Sequence, residues 1–109
     1  MQIPMPPPVQ LYFQSEAFDD TRRMAECFTA DAVVTDERRT HKGREAIRAW
    51  KTEAKAATKY QVTPVSAEPD GERVVVVGRV EGDFPGSPVM LRHLFDLEGG
   101  LISALEIRA

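Results

Sequence analysis

Apolar positions recur at helical spacing through the first half of the chain and alternate through the second. Val9, Tyr12, Phe13 and Ala17 fall on one face of a helix predicted over Val9–Phe18. Proline lacks an N–H and has its φ preset, so Pro8 is suited to open that helix. Asp19 and Asp20 supply capping oxygens for a second helix over Thr21–Phe28, with Met24, Cys27 and Phe28 as its inward stripe. Asp31–Asp36 (DAVVTD) is short and β-branched and reads as a strand; polar Arg38–Lys42 reads as a return strand or loop ending at Gly43. Arg44–Thr58 carries the strongest helical pattern, with Ile47, Trp50 and Ala54 inward. Its other side, Arg48, Lys51, Glu53 and Lys55, reads as a solvated face.

From Tyr60 onward the pattern is that of strands. Tyr60–Glu68 and Arg73–Glu81 flank Pro69-Asp70-Gly71-Glu72, and Asp-Gly between β-prone runs signals a hairpin. Gly82–Pro88 is a proline- and glycine-punctuated connection, Glu98-Gly99-Gly100 a turn, and Val89–Leu97 and Leu101–Arg108 are further strands. Helices with one embedded strand pair, followed by a four-strand antiparallel meander, give an α+β class in which a sheet packs on segregated helices. One domain over residues 9–109 is expected, behind a proline-rich segment at residues 1–8.

Composition narrows the function classes. The chain has 109 residues, 42% of them hydrophobic and 28% charged, which suits a folded domain rather than a disordered one. A net charge of −3 argues against a nucleic-acid partner, and no apolar run is long enough to span a membrane. The start has no basic leader region, and a lone cysteine, Cys27, suits a reducing cytoplasm; it reads as a small buried hydrophobe. His41 and His93 lack metal-ligand spacing, so no metal is expected. There is no phosphate-cradling glycine loop, dinucleotide fingerprint or nucleophile elbow, and no cofactor is expected.

Two strings carry a resemblance. Phe28-Thr29-Ala30-Asp31-Ala32-Val33-Val34-Thr35-Asp36 and Gly43-Arg44-Glu45-Ala46-Ile47-Arg48-Ala49-Trp50 resemble the SnoaL-like polyketide cyclase group of the nuclear transport factor 2-like superfamily. Phe84-Pro85-Gly86-Ser87-Pro88 and Leu101–Ile107 add to the likeness. The resemblance implies a cone, in which a curved antiparallel sheet wraps around the N-terminal and middle helices and leaves an internal pocket. It also implies a homodimer formed through the outer sheet face. Fold alone does not name the chemistry.

Compared with the ketosteroid isomerases of that superfamily, Asp36 matches the general base and Tyr12 the oxyanion donor. The second donor position, an acid in those enzymes, falls on His93, or on Arg92 if the register slips by one. The resemblance therefore implies Asp36, Tyr12 and His93 as catalytic residues. Read from the residues alone, Asp36 is equally a strand-end carboxylate bound to backbone amides, and Tyr12 a core side chain. Strand alternation puts Leu91, His93 and Phe95 on one face, while His41 sits in a polar, surface-like segment. Phe28, Trp50, Phe84, Phe95 and Leu91 are the expected apolar lining. The expected function is binding of a hydrophobic cyclic small molecule, with cofactor-independent acid/base catalysis of the isomerase, cyclase or dehydratase type. The competing expectation is a non-catalytic ligand-binding or dimeric interaction module.

Overall fold

The computed structural model describes residues 4–109. Its elements, in chain order, are α1 (Pro7–Ala17), α2 (Thr21–Glu26), β1 (Phe28–Asp36), β2 (Arg39–Lys42), α3 (Arg44–Ala57), β3 (Tyr60–Asp70), β4 (Arg73–Gly82), β5 (Val89–Glu98) and β6 (Leu101–Arg108). Helix α1 begins at Pro7, with prolines in the first turn, where a missing N–H costs no intrahelical bond. Of the proline-rich segment 1–8, residues 1–3 lie outside the described residues, and Met5 packs against the core.

Helix α2 is capped by Asp20, whose side chain accepts from the Arg23 N–H at 3.0 Å. It stops at Glu26, two residues before the expected end. The Cys27 carbonyl accepts from the Ile102 N–H at 2.8 Å, drawing the chain onto the sheet. Phe28 thus opens β1 instead of closing a helix, and the pairing register with β6 shifts between Phe28 and Val33. Arg39–Lys42 is a strand, joined to β1 through Glu37 and Arg38 at φ +50° and +65°. Two positive φ values are what a two-residue type I′ hairpin needs, and they set Asp36 opposite Arg39 at its base.

The six strands form one curved, open sheet in the order β2-β1-β6-β5-β4-β3. The meander β3–β6 is antiparallel, as expected, but the sheet is mixed: β1 pairs with β6 in parallel. Helix α3 carries the chain across to the far edge, and three hairpin reversals then bring β6 back beside β1 in the same direction.

The core lies between the helices and one sheet face. Val9, Tyr12 and Phe13 of α1, Ile47 and Trp50 of α3, Phe28 and Val34 of β1, and Val76, Phe95 and Leu105 of the meander belong to one buried cluster. Tyr12 and Phe13 stand edge-on to Phe95 at 5.4 and 5.8 Å, a favoured aromatic geometry.

Candidate functional site

A cleft of about 690 Å³ opens between α3, the β1–β2 hairpin and the inner face of the meander. Its apolar lining comprises Val62, Val80, Phe84, Val89, Leu91 and Ile107, and its polar and aromatic lining includes Asp36, His41, Trp50, Lys51, Tyr60 and His93. An apolar body with a few convergent polar groups is the usual make-up of a small-molecule site.

Asp36 ends β1 at this cleft, half-buried, and its Oδ2 accepts from Trp50 Nε1 at 3.0 Å. That bond fixes the carboxylate by an indole N–H, leaving Oδ1 for a ligand. Strand alternation turns His93 into the cleft and Arg92 to the opposite, exposed face, where Arg92 Nη2 donates to the Ala109 carbonyl at 3.1 Å. Burial, and secondly the charge of Lys51, push His93 down to about 4, so its imidazole is neutral near pH 7. Among the described residues its buried Nδ1 has no hydrogen-bond partner. Room for that ring comes from Gly78: a Cβ there would lie 3.1 Å from His93 Cε1 and 3.0 Å from Val62 Cγ1.

Not all the expected residues meet here. Trp50, Phe84 and Leu91 line the cleft beside Asp36 and His93. Phe28 and Phe95 do not; both are fully buried core residues around Tyr12, because the helices fill that part of the cone. Tyr12 is itself only 1% exposed, and among the described residues its hydroxyl has no hydrogen-bond partner. Burial, and then the nearby Glu16 carboxylate, raise that phenol well above its ordinary range. His41, expected at the surface, is half-buried on the cleft wall with its ring 5.9 Å from that of Trp50. The β2 register places it diagonal to Asp36 on the inner face.

The reading of α3's outer side as solvated fails at Lys51, which is 4% exposed. Its Nζ lies 2.6 Å from Glu16 Oε2, 3.3 Å from Tyr60 Oη and 4.3 Å above the Trp50 ring. Lys55 meets the other Glu16 oxygen at 2.7 Å, the Glu16 carbonyl at 3.0 Å and Asp19 at 2.8 Å. Burial alone would raise the Glu16 carboxyl, but Lys51 and Lys55 outweigh it and hold it below its ordinary value. Burial lowers Lys51, and the Glu16 carboxylate opposes that fall. Burial, with Glu16 close by, raises Tyr60. A sequence signal existed for Glu16: Val9, Tyr12, Phe13 and Glu16 share one helical stripe, so Glu16 faces inward. Nothing comparable marks Lys51.

Among the described residues, no group of three or more His, Cys, Asp or Glu side chains is arranged to hold a metal ion, and no helix is long and apolar enough to cross a membrane.

Comparison with known proteins places this geometry. A family model described as "SnoaL-like domain" matches residues 9–105. A crystal structure of a candidate polyketide cyclase from Sinorhizobium meliloti is 40% identical, with a TM-score of 0.92 over 95% of each chain. A ketosteroid isomerase-like fold from Catenulispora acidiphila, solved with trimethylamine, is 22% identical; its TM-score is 0.84 over 97% of this chain and 87% of that one. A computationally designed 17-OHP binder is 18% identical, with a TM-score of 0.79 over 100% of this chain and 92% of that one. The last two are likenesses of fold. No curated protein sequence matches the chain.

Proposed function

The chain belongs to the SnoaL-like domain family, and from that premise we propose that its cleft binds a hydrophobic cyclic small molecule and moves a proton on it without a cofactor. The observation that carries this reading is Asp36: a carboxylate at the edge of an apolar cleft, anchored through one oxygen by the Trp50 N–H and free at the other. Asp36 takes a proton from the carbon next to a carbonyl. The C–H electron pair becomes a carbon–carbon double bond, and the carbonyl pair moves onto oxygen as an enolate. Returning the proton to another carbon isomerises the substrate; attack of the enolate carbon on a second carbonyl closes a ring, with that carbonyl's π pair moving onto its oxygen, which takes the proton held by Asp36. His93, neutral and facing the same space, hydrogen-bonds the ligand. Tyr12 takes no direct part, since its hydroxyl is sealed in the core.

The likeness to the Sinorhizobium meliloti protein supports a cyclase-type substrate. We also propose that the outer face of the meander pairs two copies of the chain; exposed Met90 and half-buried Val75 and Val77 supply apolar surface there.

The test is exchange of α-hydrogens for deuterium in D₂O, followed by NMR on a panel of cyclic ketones. Wild-type protein is expected to accelerate exchange for at least one of them. Asp36→Asn is expected to lower that rate about 10²–10⁴-fold while the ligand still binds. Undiminished exchange in Asp36→Asn removes the assignment of Asp36. Binding without exchange in the wild type favours the non-catalytic module.

A further inference from the structure

Of the charged side chains that line the cleft, Glu37, Arg39 and Glu53 are exposed and Asp36 is half-buried; only Lys51 is buried. Water screens the exposed charges, so Lys51 is the least screened cation on the cavity wall. Its countercharge is shared. Two ammonium groups, Lys51 and Lys55, converge on the single buried carboxylate of Glu16, and the remaining acid, Asp19, is 71% exposed and reaches only Lys55. With Asp19 counted, the two lysines and two carboxylates balance; of the fully buried pair Lys51 and Glu16, it is Lys51 that lines the cleft, with Tyr60 beside it. His93 reports the charge of Lys51, since that charge is, after burial, the main influence that disfavours its protonation. His93, 3% exposed, lines the same cleft, and among the described residues its buried Nδ1 has no hydrogen-bond partner.

We propose that Lys51 Nζ and Tyr60 Oη form the oxygen-binding end of the cleft, and that its ligands are ring compounds bearing an acidic oxygen: a carboxylate, a phenolate, or the enolate drawn from a ketone. The inference rests on the reading of the cleft as a small-molecule site and adds which class of molecule it selects. Asp36 and Lys51 both approach Trp50, one at the indole N–H and the other over the ring. A flat ligand beside that indole can thus hold its oxygen against Lys51 with a carbon near Asp36. Negative charge that develops on the oxygen as Asp36 removes the proton meets an ammonium already in place.

Two probes of nearly the same shape decide it: 2-naphthoate, an anion, and 2-naphthamide, its neutral counterpart, each titrated calorimetrically at pH 7. Wild-type protein is expected to bind naphthoate about tenfold more tightly or better, the usual strength of one charge-assisted hydrogen bond in a partly desolvated site. Lys51→Met is expected to abolish the preference, chiefly by weakening naphthoate. Because that change strips Glu16 of a partner, the paired variant Glu16→Gln/Lys51→Met, neutral at both positions, is measured as well and is expected to lose the preference too. Tyr60→Phe is expected to reduce it. Equal affinity of wild-type protein for both probes would overturn the anion preference but leave the cleft as a binding site. A preference that survives in Lys51→Met and in the paired variant would overturn the role of Lys51. Binding of neither probe would overturn the small-molecule reading, and this inference with it.

Discussion

Trp50 carries a hydrogen bond on its edge and a cation over its face, so one side chain contacts two charged groups of the cleft, Asp36 and Lys51. His93 is the residue there whose ionisation leaves a mark on stability. Its ordinary value is 6.5 and its folded value about 4, so between those limits the unfolded chain binds a proton that the folded chain refuses. Stability is therefore full above about pH 6.5 and falls as the pH drops toward 4, by about 3 kcal/mol in all. Glu16, held below 4.5, gives up its contribution only at lower pH, so the two are separable. Urea unfolding from pH 7 to pH 4 should show the decline, and His93→Phe should flatten it; an unchanged slope in that variant would assign the decline elsewhere. Part of this was legible in the residues themselves. A carboxylate closing an apolar strand and a histidine on an apolar strand face are local patterns, and both side chains line the cleft. Tyr12 shows where local pattern stops: its helical position is a core position, and whether the cone is open or filled beside it depends on packing from α3, β1 and β5.

At the scale of elements, the Glu16–Lys51–Lys55 cluster ties α1 to α3 across the floor of the fold. Such a cluster need not stabilise more than apolar packing would, but removing one member leaves buried charge uncompensated. Glu16→Ala is therefore expected to cost about 3–5 kcal/mol in denaturant unfolding, because both lysines lose their shared partner. Adding Lys51→Met to it should recover part of that loss; a cost below about 1 kcal/mol, the range of surface pairs, would mean that water reaches the cluster. Helix α3 was legible as a helix from Ile47, Trp50 and Ala54, yet its depth of burial was not. Amphipathic spacing locates the centre of the buried stripe. The width of that stripe depends on what packs beside it, here Tyr60 from β3 and Glu16 from α1. The ends of α2 and β1 differ from expectation for a similar reason, since the Cys27–Ile102 backbone bond joins segments far apart in sequence.

For the whole molecule, the order of helices and strands and the four-strand meander were legible, because each hairpin carries its own turn signal. The parallel join of β1 to β6 was not, since no turn connects them. The outer sheet face bears on assembly: sedimentation should find a dimer, and Met90→Asp, which sets a charge on that face, should shift it toward monomer. A wild-type monomer at high concentration would remove the dimer proposal. The join also has a consequence for how the chain comes into being. Strand β6 follows every other strand in sequence but lies inside the sheet, flanked by β1 and β5. During synthesis, the β1–β2 hairpin and the β3–β5 ribbon must wait as separate pieces, each with a bare edge, until Leu101–Arg108 has left the ribosome. The last strand is thus the keystone, and a nascent chain stopped short of it offers chaperones two unfinished sheets rather than one nearly finished protein.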